Sequence, residues 1–245
     1  MIYHEQHQLF GASVVPHAAT CLAEKPLAMI PIGDDNTARR IVPIVTYLLI
    51  ILNVIVFFLE LNGGNVFVEK WAFVPNRFLA DPSGQFITLF TSMFMHAGWV
   101  HLLGNMLYLW IFGDNVEDRF GHGKFIIFYL LCGLGAVFAQ LFFSADSVIP
   151  MLGASGAISG VLGAYLLLFP QGRVRLYNFY GVVHAPAILV IGMWIILQLF
   201  SGIGSLSTTG ETGGVAYMAH IGGFAAGFLL TFIFRGRRVE QRRLV

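Results

Sequence analysis

Residues 154–169 read ASGAISGVLGAYLLLF, an apolar stretch without a charged side chain. Gly156, Gly160 and Ala164 recur in it at intervals of four, so they share one face of a helix. A stripe of small residues lets a second helix backbone approach closely, which is typical of helix pairs inside a membrane. The stretch begins at a nucleophilic residue, Ser155, and polar groups at membrane depth usually mark function.

The composition extends this interpretation to the whole chain. Of 245 residues, 57% are hydrophobic and 11% charged, and the mean hydropathy is +0.75, which excludes an ordinary soluble domain. A backbone in lipid must satisfy its own hydrogen bonds, and closed barrels need alternating patterns that are absent here. We therefore predict an all-α, polytopic membrane protein with six transmembrane helices. Its apolar runs are 42–60, 98–116, 124–143, 154–169, 182–200 and 214–234.

The basic residues predict the orientation of this bundle. Only Lys70 and Arg77 lie in the first connection, whereas the other twelve of 14 lysines and arginines lie before the first run, after the sixth, or in the second and fourth connections. By the positive-inside rule, both termini are cytoplasmic. We expect a cytoplasmic N-terminal segment at 1–40, a membrane domain at 41–235 and a basic cytoplasmic tail at 236–245.

Localisation and partners follow from the same distribution. Residues 1–28 lack the pattern of a signal peptide and are expected to be dispensable. Without an organelle-targeting pattern, the orientation favours a prokaryotic plasma (inner) membrane. The net charge of +1 is spread along one membrane face and indicates no nucleic-acid partner. The lipid bilayer itself is the expected environment.

The sixth run carries a stripe that matches the one in the fourth. Ala219, Gly223 and Gly227 recur at intervals of four, and His220 directly follows the first of them. If the two stripes face each other, His220 meets Ser155. Both residues lie fourteen positions before the predicted inner end of their run, a rise of about 21 Å. The sequence therefore predicts a serine–histidine pair about 9 Å below the outer edge of a ~30 Å hydrocarbon core.

A third polar cluster opens the second run. His101 and Asn105 are four residues apart and share a helix face, while His96 lies just before them. Asn105 reaches the same predicted depth as the serine and histidine, and an amide is a suitable donor to an oxyanion. Taken alone, a buried Asn or His is more often a structural polar group. No carboxylate or thiolate accompanies the cluster, so neither a metal nor a cofactor is expected.

The connections around the fourth run complete the expected site. Residues 144–154 form a poor helix, yet they must descend to a serine inside the membrane, so they imply a water-filled cavity that opens outward. The first connection, 61–88, is expected to be an amphipathic element in the outer interface. Residues 201–213 are expected to cap the cavity. His184 and Pro186, near the inner end of the fifth run, are expected only to adjust packing.

Three motifs now resemble those of one family, the rhomboid intramembrane serine proteases. Residues 96–105, HAGWVHLLGN, look like their second-helix motif; residues 153–156, GASG, look like their GxSG; and residues 219–223, AHIGG, look like their AHxxG. The three occur in the expected order and runs. A lone GxSG would be weak, because soluble hydrolases also use it, but those need a strand before it.

The resemblance implies a role for each motif residue. Ser155 would be the nucleophile and His220 the general base of a dyad, while Asn105, His101 and the Ser155 backbone N–H would stabilise the oxyanion. His96 and Gly153 would support them. The implied reaction is hydrolysis of peptide bonds in or near transmembrane segments of membrane proteins, with single-span proteins as the expected substrates. No cofactor is implied.

Two departures from the family pattern are visible. Some rhomboids carry an aromatic residue four positions after the nucleophile that packs on the histidine, whereas this chain has Ser159 there. Some also carry a Trp-Arg pair in the first loop, where this chain has Phe86 and Ile87. The departures leave open how the histidine is oriented and how the loop is anchored.

Two other classes of function stay open beside the protease. One is a catalytically silent rhomboid-like protein that binds membrane clients, although such a protein would be expected to have lost the serine or the histidine. The other is a small-solute transporter. Transporters commonly show internal repeats with paired broken helices, and no such symmetry relates residues 42–143 to 154–234.

Overall fold

The computed structural model describes residues 29–37, 39–207 and 216–235. Its strands are β1 (Ile30–Asp34), β2 (Arg173–Asn178) and β3 (Gly181–Pro186). The helices before the irregular segment 144–154 are α1 (Ile44–Trp71), α2 (Pro75–Ala80), α3 (Pro82–Gln85), α4 (Thr88–Thr91), a 3₁₀ turn (Ser92–Phe94), α5 (Trp99–Tyr108), a π-helical turn (Leu109–Gly113), α6 (Asp114–Phe120) and α7 (His122–Phe143). After it come α8 (Ser155–Leu168), α9 (Ala187–Ser207) and α10 (Tyr217–Phe234).

The predicted membrane helices form, but their number is not confirmed as six. Within the described residues, four helices (α1, α7, α9 and α10) are long and apolar enough to cross a membrane on their own. The bent pair formed by residues 82–94 and 99–120 makes a fifth if it is taken as one span. Helix α8 has only 14 residues, about 21 Å of rise, which falls short of a ~30 Å hydrocarbon core.

The predicted start of the fifth helix was wrong. It was predicted to begin at residue 182, but residues 181–186 form strand β3, and α9 begins only at Ala187. Strand β3 pairs with β2 in antiparallel register, His184 lying opposite Arg175. His184 and Pro186 are therefore exposed strand residues that precede the helix. Backbone pairing with β2 decided the structure of a segment whose apolar composition suits a helix equally well.

A small sheet therefore accompanies the predicted helices. The three strands pair antiparallel in the order β1-β2-β3. The sheet packs at the end of α8 that lies opposite Ser155, where Tyr165 donates its O–H to Asp34 over 2.7 Å. The strands were not predicted because each is short and lies beside a membrane run. The chain remains mostly helical.

The stripes of small residues face each other, as the sequence predicted. A Cβ built on Gly160 would lie 3.0 Å from the carbonyl oxygen of Gly223, and one on Gly223 would collide with the backbone of Gly156. Likewise, a Cβ on Gly227 would collide with the backbone of Gly160. Contact of two helix backbones fixes both the distance between α8 and α10 and their register.

The first connection is largely helical. Helix α1 continues beyond the predicted end at residue 60 and is interrupted at Gly64, whose φ of 56° lies in the left-handed region. Phe73 is fully buried and packs in a cluster with Leu89, Met93 and Val137. Its backbone pairs with that of Met151. This pairing holds the segment that leads to Ser155.

The expected cap over the cavity is only partly described. Residues 201–207, the first part of the expected cap, continue helix α9. Residues 208–213 lie outside the described part of the chain, as do the segment 1–28 and the tail 236–245.

Carboxylates of α6 fasten the start of α1. Glu117 is fully buried and accepts hydrogen bonds from the N–H groups of Val45 (2.9 Å) and Thr46 (2.7 Å) and from the Thr46 hydroxyl (2.7 Å). These N–H groups belong to the first turn of α1, which has no acceptors of its own for them. Asp118 accepts from the N–H groups of Arg40 and Ile41 in the same way. The short helix α6 thus caps the N-terminus of the long helix α1.

Candidate functional site

Ser155 and His220 meet across the contact between α8 and α10. Ser155 is the first residue of α8, and His220 lies in the first turn of α10. The serine Oγ and the histidine Nε2 are 2.8 Å apart, which is hydrogen-bond distance. The facing glycine stripes set this separation, because they fix how far the two helix starts are from each other.

The irregular segment 144–154 delivers Ser155 to this position, as predicted. Gly153 has a φ of +132°, a conformation that side-chain-bearing residues rarely adopt. The Gly153 N–H donates to the carbonyl of Ser92 over 2.9 Å. The serine then begins a helix, where the first N–H groups have no intrahelical acceptor and the helix dipole favours negative charge.

A cavity of about 1060 Å³ opens beside the serine, in agreement with the cavity that the sequence predicted. None of the described residues that line it is Asp, Glu, Lys or Arg. The lining includes polar side chains and large apolar ones, namely His101, Asn105, Tyr108, Gln140, Ser155, Trp194, Tyr217, Met218 and His220. The space is large enough for an extended peptide segment of a few residues.

His101 and Asn105 both reach this cavity. A Cβ on Gly153 would lie 2.8 Å from Cε1 of His101, so the glycine allows the imidazole to approach the serine. Asn105 is buried, and its amide nitrogen has no hydrogen-bond partner in the described part of the chain. An unpartnered buried donor at the wall of a cavity is available to a ligand.

His96 does not reach the cavity lining. It is 1% exposed, and its ring packs edge-to-face on that of His101 with centroids 5.2 Å apart. Its backbone N–H donates to the buried carboxylate of Glu60 in α1 over 2.9 Å. The structure therefore places His96 behind His101, where it fixes the position of that ring.

Helix α9 supplies two contacts to His220 that the sequence analysis missed. Gln198 Oε1 lies 2.7 Å from Nδ1 of His220. The Trp194 ring lies against the imidazole, with centroids 5.9 Å apart and planes inclined by 39°. The sequence did contain a signal for Gln198, because it is the only strongly polar side chain between residues 187 and 200. A polar group within an apolar run of this length often marks a functional position.

The two departures from the family pattern have structural counterparts. The Ser159 hydroxyl donates to the carbonyl of Ser155 over 2.6 Å and makes no ring contact with the histidine. The aromatic neighbour of the histidine comes from α9 instead. Phe86 and Ile87 are both at least half exposed, so these two side chains do not anchor the connection by burial.

Gln140 in α7 holds the other side of the histidine helix. Its Oε1 accepts from the Ala219 N–H over 3.2 Å, and its Nε2 donates to the Ser144 hydroxyl over 3.1 Å. Among the described residues, no group of three or more His, Cys, Asp or Glu side chains is arranged to hold a metal ion. The polar side chains that line the cavity include those of serine, histidine, asparagine, glutamine and tyrosine residues.

These features define a class: a multi-pass helical membrane protein with a serine–histidine pair in a cavity at the start of two helices. Comparison with known families agrees with this class, because the Rhomboid domain family model matches residues 83–237. That match covers more than half of the chain. The chain belongs to the rhomboid family.

Curated relatives carry the same family name. Rhomboid protease GluP of Bacillus subtilis (strain 168) is 36% identical over 188 residues, which cover 75% of this chain and 34% of GluP. Putative rhomboid protease YdcA of the same organism is 28% identical over 201 residues, covering 81% of this chain and 92% of YdcA. RHOMBOID-like protein 4 of Arabidopsis thaliana is 32% identical over 145 residues, covering 59% and 33%. The chain thus spans about a third of the length of GluP and of RHOMBOID-like protein 4.

Proposed function

We propose that this protein is an intramembrane serine endopeptidase that uses Ser155 and His220 as a catalytic dyad. The observation that carries the proposal is the 2.8 Å separation between the serine Oγ and the histidine Nε2 inside a cavity of a rhomboid-family bundle. Homologues named as rhomboid proteases support the same role.

The first half of the reaction is acylation. His220 Nε2 takes the proton from the serine hydroxyl while Oγ attacks the carbonyl carbon of the scissile peptide bond. The tetrahedral intermediate collapses when the histidine returns this proton to the leaving amine. An acyl-enzyme ester on Ser155 remains, and water from the cavity hydrolyses it through the same histidine.

The developing oxyanion is stabilised by donors that surround the serine. The buried Asn105 amide nitrogen has no partner among the described residues, and His101 lies against Gly153 next to the nucleophile. The N–H of Ser155 at the start of α8 adds a third donor. Donors that are fixed before the reaction stabilise charge that appears only in the transition state.

The bond that is cut must be presented as an extended segment. A transmembrane helix hides its peptide carbonyls in internal hydrogen bonds, so the substrate has to unwind where it enters the cavity. With both termini cytoplasmic, the site lies near the outer leaflet of a prokaryotic plasma membrane. The substrates are then single-span membrane proteins that are cut near their outward-facing end.

Labelling with a fluorophosphonate in native membranes tests this function, because only an activated serine reacts with it. We expect the wild-type chain to be labelled and Ser155→Ala to remain unlabelled. Cleavage of a model single-span substrate by the same membranes should follow the same pattern. Equal labelling of wild type and Ser155→Ala would contradict the proposal.

A second function, a silent rhomboid-like protein that binds membrane clients, predicts a different result. Such a protein would capture the substrate without labelling and without cleavage. The intact serine–histidine geometry favours the protease, because a binding role gives no reason to hold Oγ and Nε2 at hydrogen-bond distance.

A further inference from the structure

The amide of Gln198 completes a chain of three polar groups that runs through His220 to Ser155 at the cavity. Its Oε1 lies 2.7 Å from Nδ1 of His220, and Nε2 of the same ring lies 2.8 Å from Oγ of Ser155. The histidine is therefore held at both ring nitrogens. The three groups come from α9, α10 and α8 in turn.

The chemistry of an amide oxygen selects one form of the histidine. A neutral imidazole carries one N–H, and a carbonyl oxygen accepts hydrogen bonds but cannot donate them. Because Gln198 presents its oxygen, the proton sits on Nδ1 and Nε2 faces the serine with its lone pair. This is the tautomer that a general base needs.

The described residues that line the cavity offer no carboxylate for this task. In serine proteases with a triad, a buried aspartate accepts from the histidine Nδ1–H and fixes its orientation. None of the described residues that line this cavity is acidic. Gln140, which does line the cavity, is hydrogen-bonded to the Ala219 N–H and the Ser144 hydroxyl instead.

Helix α9 also holds the plane of the ring. Trp194 and Gln198 are four residues apart and share a helix face, so the indole lies against the imidazole while the amide binds its edge. Leu197 and Leu199 are 55% and 41% exposed and lie away from this contact. One face of α9 is thus dedicated to the histidine.

We propose that Gln198 is the positioning residue of the active site, and that its amide oxygen holds His220 in the tautomer and orientation that accept the serine proton. The inference rests on the proposed dyad function. Gln198 touches neither substrate nor the reacting atoms; it acts through the histidine. Once the histidine is protonated, the same hydrogen bond becomes charge-assisted and strengthens, which stabilises the transition state.

The test compares variants of the full chain that keep or remove the acceptor. Gln198→Met retains the length of the side chain without the oxygen, and Gln198→Asn shortens it so that the oxygen no longer reaches. Gln198→Glu retains both length and acceptor. Leu197→Met is the matched control on the exposed face of the same helix. The measurements are the rate of fluorophosphonate labelling of Ser155, and kcat and KM with a model substrate.

We expect Gln198→Met and Gln198→Asn to lower the labelling rate and kcat about 10- to 100-fold with KM unchanged, as for loss of one hydrogen bond to a group that becomes charged. Gln198→Glu should stay within about threefold of wild type, and Leu197→Met within about twofold. Loss of labelling in Gln198→Glu, or wild-type rates in either acceptor-removing variant, would overturn the inference. An unlabelled wild-type protein would instead refute the proposed dyad.

Discussion

The two ends of this bundle, which the sequence predicts to be an inner end at Glu117 and an outer end at Ser155, differ in how their buried polar groups are hydrogen-bonded. At the inner end, Glu117 accepts from three donors of α1 and also contacts His122. At the outer end, the Asn105 amide nitrogen and both ring nitrogens of His96 have no partner within the described residues. The polar side chains at both ends are buried, so exposure to water does not explain the difference.

The difference separates a structural region from a functional one. A satisfied buried carboxylate stabilises the fold, whereas a buried donor without a partner costs free energy unless something else binds it. Natural proteins keep such groups mainly at functional sites. Substitutions at the inner end should therefore change stability, and those at the outer end should change activity.

The largest effect is expected from the dyad itself. Ser155→Ala and His220→Ala should each lower turnover of a model single-span substrate by about 10⁴-fold or more, because neither residue works without the other. The double variant should be no worse than either single variant. Turnover in detergent or proteoliposomes measures this, and thermal unfolding on the same preparations should show nearly unchanged stability. Substantial turnover by Ser155→Ala would end the protease assignment.

Glu117→Ala tests the opposite end. It leaves the Val45 and Thr46 N–H groups and the Thr46 hydroxyl buried without their acceptor, so we expect a loss of about 3–5 kcal/mol in the free energy of unfolding. Unfolding by denaturant or heat in detergent measures the loss. Glu117→Gln keeps one carbonyl acceptor and should lose less.

The matched control is Glu69→Ala, which removes an exposed carboxylate near the other end of α1 and should leave stability within about 0.5 kcal/mol. Activity per folded molecule should stay near wild type in Glu117→Ala. A dead but stable Glu117→Ala protein would contradict the division between the two ends.

Asn105→Ala sharpens the comparison, because the residue is buried yet predicted to be catalytic. It should lower kcat and kcat/KM together by the equivalent of roughly 2–4 kcal/mol, the effect of removing one oxyanion donor. Melting temperature should stay unchanged, since the amide nitrogen has no partner to lose among the residues that the structure describes. If Asn105 instead links helices, the variant would melt earlier and retain its turnover per folded molecule.

The sequence predicted the central part of this site because the spacing of small residues indicates which helix faces pack together. Gly156, Gly160, Gly223 and Gly227 face each other as their spacing indicated, and this contact brings the histidine to the serine. Close backbone contact is encoded by residue size alone. The predicted segment boundaries were adequate for this purpose, although they were wrong by several residues at α1 and α9.

What the sequence did not predict depends on contacts between distant segments. The bond between Gln198 and His220 joins helices whose relative rotation cannot be deduced from composition. The same holds for the β1-β2-β3 sheet, which pairs residues 30–34 with 174–177. The family motifs locate the reacting atoms, but the groups that orient His220 come from a helix that carries no such motif.

The smallest expected effect belongs to Asp34, the exception among the satisfied groups of the inner end. Its Oδ2 accepts from the Tyr165 hydroxyl and the Asn115 amide, each over 2.7 Å, while Oδ1 has no partner among the described residues. Desolvation by burial and the nearby Asp114 carboxylate raise the pKa of Asp34, while its hydrogen bonds and Arg175 lower it; the net result is a rise from 3.8 to about 6. Ionised Asp34 thus destabilises the fold at neutral pH.

The sign of the pH dependence follows from this raised pKa. The folded protein holds the proton more tightly than the unfolded chain, so the contribution of Asp34 to stability is fully present below about pH 3.8 and is lost as the pH rises through about 6. Asp34→Asn removes this titration. The melting temperature of the variant minus that of wild type should therefore increase by about 2–6 °C between pH 4 and pH 7. Asp35→Asn, at an exposed neighbour whose pKa is lowered by its hydrogen bonds to Thr37, should give a flat difference over this range. If the melting-temperature difference for Asp34→Asn were also independent of pH, water would reach the Asp34 carboxylate, and the inner end would be as accessible to water as the outer end.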